Sequence, residues 1–430
     1  MSPRFPPRFP QPMRFLVILF VSYTTLYSAT AADQDLRWWK GNLHTHSLWS
    51  DGDDYPEMIV DWYKQHGYDF LALSDHNILA DHERWIGVVK SGEAAFAKYL
   101  ARFGKPWVEE RDTDGVREVR LKMLSEFRVP FEEPGRFLLI RSEEITGRYL
   151  TAPIHINATN LVEKIEPQSG GGIVEVMQKT LDAVAAQRKR TGVPMFAHIN
   201  HPNFGWAITA EELMQVENDR FFEVYNGHPM VHNEGDLKHA STDRVWDIVL
   251  TERLAELGKE PLFGMGCDDS HNYHSEPKKQ SHPGRGWIMV RAASLNVEAL
   301  IAAMEAGDFY ASSGVTLSEV VRAKEGISIT IESEPNVVYT TEFIGTRKGY
   351  ERSSEQLFGE NGQTLRVTRR YSDEIGAVLA TVHGNSASYT LKGDEIYVRA
   401  KVSSNRLKKD PYCEGELEHA WTQPLVTGVR

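Results

Sequence analysis

The sequence predicts an α/β architecture with a parallel sheet, as a barrel or an open sheet, followed by a small all-β domain. Three observations carry this. Short apolar runs alternate with longer amphipathic stretches between about residues 39 and 320. The amphipathic stretches stop at glycines. Beyond about Lys324 the helical pattern ends and only short strand-like runs remain.

The runs predicted as buried strands are Phe70–Leu73, Phe137–Ile140, Met195–Ile199, Phe221–Tyr225, Leu262–Met265 and Trp287–Val290. Each is short, mostly apolar, and bounded by charge, Gly or Pro. The predicted helices are Glu57–Gln65 before Gly67, Ile173–Arg190 before Gly192, Thr242–Leu257 before Gly258, and Val297–Ala306 before Gly307. The charged region from Lys90 to Pro134 reads as a helical insertion. In the last third, strands are expected over Ile327–Ile331, Val337–Phe343, Leu365–Arg370, Ala377–Val382, Ser388–Leu391 and Glu395–Val402.

The first residues read differently. Arg4, Arg8 and Arg14 precede an apolar run from Phe15 to about Tyr27, and Ala29, Thr30 and Ala31 offer a small-residue cleavage site. This is the pattern of a secretory signal peptide over 1–32, so an exported protein, periplasmic or extracellular, is expected. The run is too short to span a bilayer comfortably, so no stable membrane anchor is expected after cleavage. Removing those arginines leaves 45 Lys and Arg against 60 Asp and Glu, a net charge of −15. Such a balance argues against a nucleic-acid polymer as partner and leaves a small-molecule substrate open. Cys267 and Cys413 are the two cysteines, either one disulfide or two thiols; neither belongs to a CxxC pair.

The chemistry lies where strands end. His44 and His46 are two apart, so on an extended chain both rings face one side. Asp51 follows, with Gly52 permitting a turn. His76, Glu143 with Glu144, His198 with His201, and Asp268, Asp269 with His271 each close an apolar run; His155 lies in another, PIHIN. In parallel α/β folds ligands gather at that end of the strands. Burying so many polar groups without a partner would be costly, and a metal cluster gives them one. The nitrogen and oxygen donors suit Zn, Mn or Fe, about two or three divalent ions per chain. Bound cations would generate hydroxide near neutral pH and offset transition-state charge. Glu223 and Asn226 divide evenly between pocket and structural roles. Arg285, in HPGRGW, is a candidate for holding a substrate phosphate or carboxylate. His274 and His282 are candidates for lining the mouth, while His228, His232 and His239 read as surface or packing residues.

The runs GNLHTHSLWSDG and LALSDHN resemble the PHP (polymerase and histidinol phosphatase) family, and SEEIT, HIN, INHP and DDSH follow in the order of its later motifs. The likeness covers about Trp39 to Gly314, and the tail ending in AWTQP resembles that of secreted PHP proteins. It implies a distorted (β/α)7 barrel over 39–320, a β-rich domain over 325–430 and a trinuclear metal site. Its ligands, matched residue by residue, are His44, His46, Asp51, His76, Glu144, His155, His201, Asp269 and His271, with Glu143 as the fallback for Glu144. His198 is the alternative to His201, or a general acid or hydrogen-bonding group beside the metal. The function expected is hydrolysis of a small phosphoester by a metal-bridging hydroxide. Hydrolysis of a carboxylic ester, carbamate or amide, and a non-catalytic carbohydrate- or surface-binding role, are the alternatives.

Overall fold

The computed structural model describes residues 1–2, 36–274 and 280–427; the expected signal peptide lies outside them apart from Met1 and Ser2. The fold is mixed α/β around a large sheet. Seven strands stand side by side in chain order: β1 (Arg37–Asn42), β2 (Phe70–Leu73), β3 (Leu138–Tyr149), β4 (Ala152–Thr159), β5 (Phe196–Ile199), β6 (Phe221–Asn226) and β7 (Phe263–Cys267). On the far side of β1 the sheet continues through β8 (Trp287–Ala292) and β9 (Phe309–Ser312).

The distorted (β/α)7 barrel expected from the resemblance is matched in its seven strands, but they do not pair into a closed barrel. β1–β2–β3 and β5–β6–β7 pair in parallel, but β3–β4 and β4–β5 are antiparallel. The physical reason is the connection. β3 and β4 are joined by Leu150 and Thr151 alone, with Leu150 at a φ of 53°, and a two-residue hairpin permits only antiparallel pairing. β7 meets the β1 side through one parallel bridge, Thr45 to Ser270, not through a ladder.

Helices cover this sheet as their sequences require. α1 (Pro56–Gln65) begins on proline, buries Ile59, Val60 and Tyr63, and stops before Gly67 at a φ of 74°. α2 (Ile173–Thr191) ends where Gly192 turns left-handed. A short α3 spans Ala210–Leu213. α4 (Thr242–Thr251) starts on a Ser241 cap and runs into one π turn, Glu252–Glu256. Its Trp246 packs against the sheet, donates to Leu262 O at 2.9 Å, and leaves a Cβ on Gly264 no room. α5 (Val297–Glu305) is capped by Asn296. No helix among the described residues is long and apolar enough to cross a membrane.

The insertion is not helical throughout: Glu93–Phe103 and Leu124–Phe131 are helices, but Arg84–Gly87, Val116–Leu121 and Glu110–Thr113 form a three-stranded sheet. Val119 and Leu121, two apart and both buried, carry that strand period.

The last third is β-rich and extends the large sheet. β10 (Tyr339–Arg347), β11 (Ala377–His383), β12 (Glu395–Leu407) and β13 (Leu417–Thr422) continue it from β9, in the order β9–β13–β12–β10–β11. The join is the register Tyr310 to Thr422, Ala311 to Trp421 and Ser312 to Ala420. A second sheet, Leu317–Ala323, Gly326–Ile331 and Ser386–Thr390, packs across an apolar layer including Ile327, Ile329, Phe343, Val398 and Val402. Of the expected strand 365–370 only Arg370 is in a strand. Leu36–Arg430 forms one compact unit. Cys267 is buried, Cys413 exposed, and both are free thiols.

Candidate metal centre

The chain beyond β1 stays extended, so His44 and His46 present their rings to the same side, 5.2 Å apart. Asn42 holds this turn through bonds to His44 O (3.1 Å) and Thr45 Oγ1 (2.6 Å). Gly52 lets the loop fold back, because a Cβ there would sit 2.6 Å from the His46 backbone. That brings Asp51 Oδ1 to 3.6 Å from His46 Nδ1 and 3.5 Å from His271 Nε2, while Oδ2 lies 3.5 Å from His76 Nε2.

Glu144, on β3, is the centre of the cluster. Its Oε2 lies 3.3 Å from His44 Nε2, 3.1 Å from His46 Nε2 and 3.0 Å from His76 Nδ1. Its Oε1 lies 2.9 Å from His155 Nδ1 and 3.7 Å from His201 Nε2, and accepts from Asn200 Nδ2 at 2.9 Å. Glu143, on the opposite face of the strand, accepts from Ile165 N, and burial pushes its carboxyl up to about 7.

Past β7 the two aspartates separate by function. Asp268 accepts from the amides of Gly284 and Gly286 and from Tyr63 Oη, and so ties the strand end to the following loop. Asp269 turns the other way, at a φ of 50° that few non-glycine residues adopt. Its Oδ1 lies 3.1 Å from His44 Nε2 and 3.2 Å from His46 Nε2, and its Oδ2 lies 3.9 Å from His201 Nε2. The strained backbone is held by Asp269 N, which donates to His44 O at 3.0 Å, and by Ser281 Oγ, which donates to Asp269 O.

All nine residues proposed as ligands therefore come together, in overlapping groups: His46, Asp51, His76 and His271; His44, His46 and Glu144; His44, His201 and Asp269; His76, Glu144 and His155. Metal–ligand bonds of about 2.0–2.2 Å place neighbouring donor atoms roughly 3.0–3.6 Å apart, and most of the distances given above lie in that range. The donors also fit on electronic grounds. His44 Nε2, His46 Nε2, His155 Nδ1 and Glu144 Oε2 are buried and make no hydrogen bond. His44 Nδ1 is 2.6 Å from Glu223 Oε1 and serves as the ring's N–H donor there, so its Nε2 presents a lone pair toward two carboxylates. Electron-rich atoms facing one another across 3 Å need a cation between them.

Without a metal, protons take that part. Burial opposes charge on every group, yet Asp269, Glu223 and Glu144 outweigh it and raise His44 well above the usual imidazole range. Burial likewise opposes charge on His76, but Glu144 and Asp51 carry it to about 11. Glu144 and Asp269 are held well below the carboxylate range, burial notwithstanding, chiefly by His76 and His44 respectively. His271 falls to about 3 through burial and the neighbouring His46.

The two residues proposed as catalytic stand elsewhere. His198 is fully buried behind the cluster, Nε2 3.3 Å from Glu223 Oε1, with neither ring nitrogen hydrogen-bonded. Arg285 is buried and engaged: it donates to Gly227 O at 2.9 Å, Gln280 O at 2.6 Å and Asp410 Oδ1 at 2.9 Å. His282 also meets Asp410, at 3.0 Å, and His274 meets Asp54 at 3.3 Å. Two further residues stand at the cluster, Glu223 and His228. Glu223 is a buried hub rather than an even choice, and an acid inside an apolar strand was its signal. His228 is half-buried, its ring 5.5 Å from that of His271 and 6.1 Å from that of Phe204. Its Nδ1 accepts from Met230 N at 3.2 Å, which leaves the ring proton on Nε2.

No protein-family model matches the chain, and no curated protein matches it. Among solved structures, it is similar to a two-domain protein of Bacteroides vulgatus containing a predicted PHP-like metal-dependent phosphoesterase. Identity is 16%, coverage is 90% of this chain and 96% of the other, and the TM-score is 0.40. It is also similar to a protein of Bifidobacterium adolescentis described as a candidate metal-dependent phosphoesterase. There identity is 11%, coverage 54% of this chain and 87% of the other, and the TM-score 0.27.

Proposed function

We propose that this chain is a metal-dependent hydrolase of the PHP type, cleaving a small phosphoester. The observation that carries the reading is the convergence of imidazole nitrogens and carboxylate oxygens on one spot, His44 Nε2, His46 Nε2, His155 Nδ1 and Glu144 Oε2 among them buried and without a hydrogen bond. His44, His46, Asp51, His76, Glu144, His155, His201, Asp269 and His271 would hold about two or three divalent ions, with Zn, Mn and Fe all suited to the donor set. Such ions, when bound, polarise a phosphoryl oxygen and lower the pKa of water.

The chain supplies the rest. Asn200 fixes the Glu144 carboxylate, and the bonds through Asp268 hold the loop that follows Asp269. His228, with its proton on Nε2, is placed at the rim to donate to a substrate oxygen. Phe204, 5.0 Å from the His201 ring, forms an apolar wall beside it. On this reading residues 1–32 direct export, 39–320 carry the site and 325–430 form the β-rich region. The partner is a small molecule rather than a nucleic-acid polymer, and no membrane anchor remains.

The test is metal content with a substrate panel. Protein prepared without chelator should hold at least about two equivalents of transition metal and turn over p-nitrophenyl phosphate. His44→Ala and Asp269→Ala should remain folded and lose that turnover. Turnover of p-nitrophenyl acetate with none of the phosphate would overturn the phosphoester assignment, and unchanged rates in both variants would overturn the site.

A further inference from the structure

Two of the ligand groups share no residue, an inner set of His44, His201 and Asp269 and an outer set of His46, Asp51, His76 and His271, while Glu144 joins one group with His44 and His46 and another with His76 and His155. Glu223 is in neither, forming a separate buried group with His44 and Cys267, yet it meets His44 and the His201 main chain directly and Asp269 through Asn226. It is fully buried in β6. Its Oε1 accepts from His44 Nδ1 at 2.6 Å and from Cys267 Sγ at 3.0 Å. Its Oε2 accepts from the backbone N–H of His201 at 2.8 Å and from Asn226 Nδ2 at 2.8 Å. Asn226 Nδ2 is in turn 3.1 Å from Asp269 Oδ2. Among the described residues, its hydrogen bonds run to none of Asp51, His76 and His271.

We infer that Glu223 is a positioning residue for one ion position, bounded by His44, His201 and Asp269, and that the outer position loads independently of it. The inference rests on the metal reading above and sharpens it. A carboxylate that receives the N–H of a ligating histidine fixes its tautomer and ring angle and raises the basicity of the ligating nitrogen. Here one carboxylate does this for His44 directly, sets the main chain of His201, and steadies Asp269 through a single amide. Four donors converge on its two oxygens, so no other side chain replaces it without loss. Glutamine keeps the size but offers one acceptor and one donor group, and leaves part of this set unpaired. A buried acid that merely satisfied local amides would affect folding without distinguishing one ion from another.

The experiment is a metal titration of the mature chain. Wild type, Glu223→Gln, Asn226→Ala and Asp51→Asn are stripped of metal and titrated with Co(II). Bound metal is measured by equilibrium dialysis, the coordination by visible absorption, and folding by thermal melts. In Glu223→Gln one equivalent should weaken by about 10–100-fold while the remaining metal binds as in wild type. Asn226→Ala should weaken the same equivalent by less, and it keeps the test open if Glu223→Gln fails to fold. Asp51→Asn should weaken a different equivalent with a different absorption change. Glu223→Gln, or Asn226→Ala in its place, titrating as wild type would overturn the inference, as would uniform weakening of all equivalents. Wild type binding less than one equivalent would overturn the metal reading itself, a result distinct from full loading in both wild type and variant.

Discussion

Replacing Asp247 tests how the last third of the chain is bound to the rest. Asp247, on α4, is buried; its Oδ1 accepts from Arg399 Nε at 2.8 Å and Tyr397 Oη at 2.8 Å, and its Oδ2 from Arg399 Nη2 at 2.7 Å. Arg399, on β12, is fully buried, lies over the Trp246 ring at 4.7 Å, and has Asp243 Oδ1 at 3.1 Å as its other ionic partner. Asp247→Ala leaves a buried guanidinium with one half-exposed acid. Removing one partner of a buried pair costs about 3–5 kcal/mol. With an unfolding entropy of about 2.1 cal/mol/K per residue over roughly 400 residues, that is a fall of about 4–6 °C in Tm. Asp247→Ala/Arg399→Met removes the orphaned charge and should recover at least about 1 kcal/mol relative to Asp247→Ala. Thermal melts of the four proteins of the cycle measure this. A fall below about 1 °C in Asp247→Ala, or strictly additive losses in the double variant, would refute the assignment of this pair as the clamp.

Three other outcomes follow from the same structure. A chelator should lower Tm by about 3 °C relative to protein at 100 times the metal Kd, since that excess adds about 2.7 kcal/mol; a chelator-independent melt would count against a resident metal. Metal uptake at neutral pH should release protons, because Glu144 and Asp51 hold His76 charged up to about 11 in the metal-free chain; calorimetry in buffers of differing ionisation heat reads the number, and affinity should rise with pH. Asp219 is buried, with Oδ2 unpaired, and burial lifts its carboxyl to about 7. The folded chain then keeps a proton that the unfolded chain releases near 4, so stability falls as pH rises from 4 to 7 and is level above. Asp219→Asn should match wild type near pH 4 and exceed it at pH 8 by up to about 4 kcal/mol, read from denaturant melts; equal stability at pH 8 would contradict it.

What local sequence encodes here is period and punctuation. The two-residue spacing of His44 and His46, repeated by Asp269 and His271, states which side chains share a face, and the glycine stops state where α2 and α5 end. Pairing direction is not local. PIHIN reads as an apolar segment in either direction, and only the Leu150–Thr151 hairpin makes β4 antiparallel. Partners remote in sequence are equally invisible: Arg285 reads as a free cation near glycines until Asp410 is seen beside it. The strand FFEVYN leaves Glu223 evenly divided between pocket and structural roles, because an acid inside an apolar strand serves either until its partners are known, and His228 lies beyond the strand, where the strand-end pattern does not reach.

The register between β9 and β13 has a consequence for any shortened chain. A protein ending near residue 324 would lose the strand that now satisfies β9 at Tyr310, Ala311 and Ser312. Its large sheet would finish in an open row of amide and carbonyl groups, flanked by the apolar side chains that β10 and β12 now cover. Such an edge is a template for another copy of the same strand, so the truncated protein would tend to self-associate through its sheet.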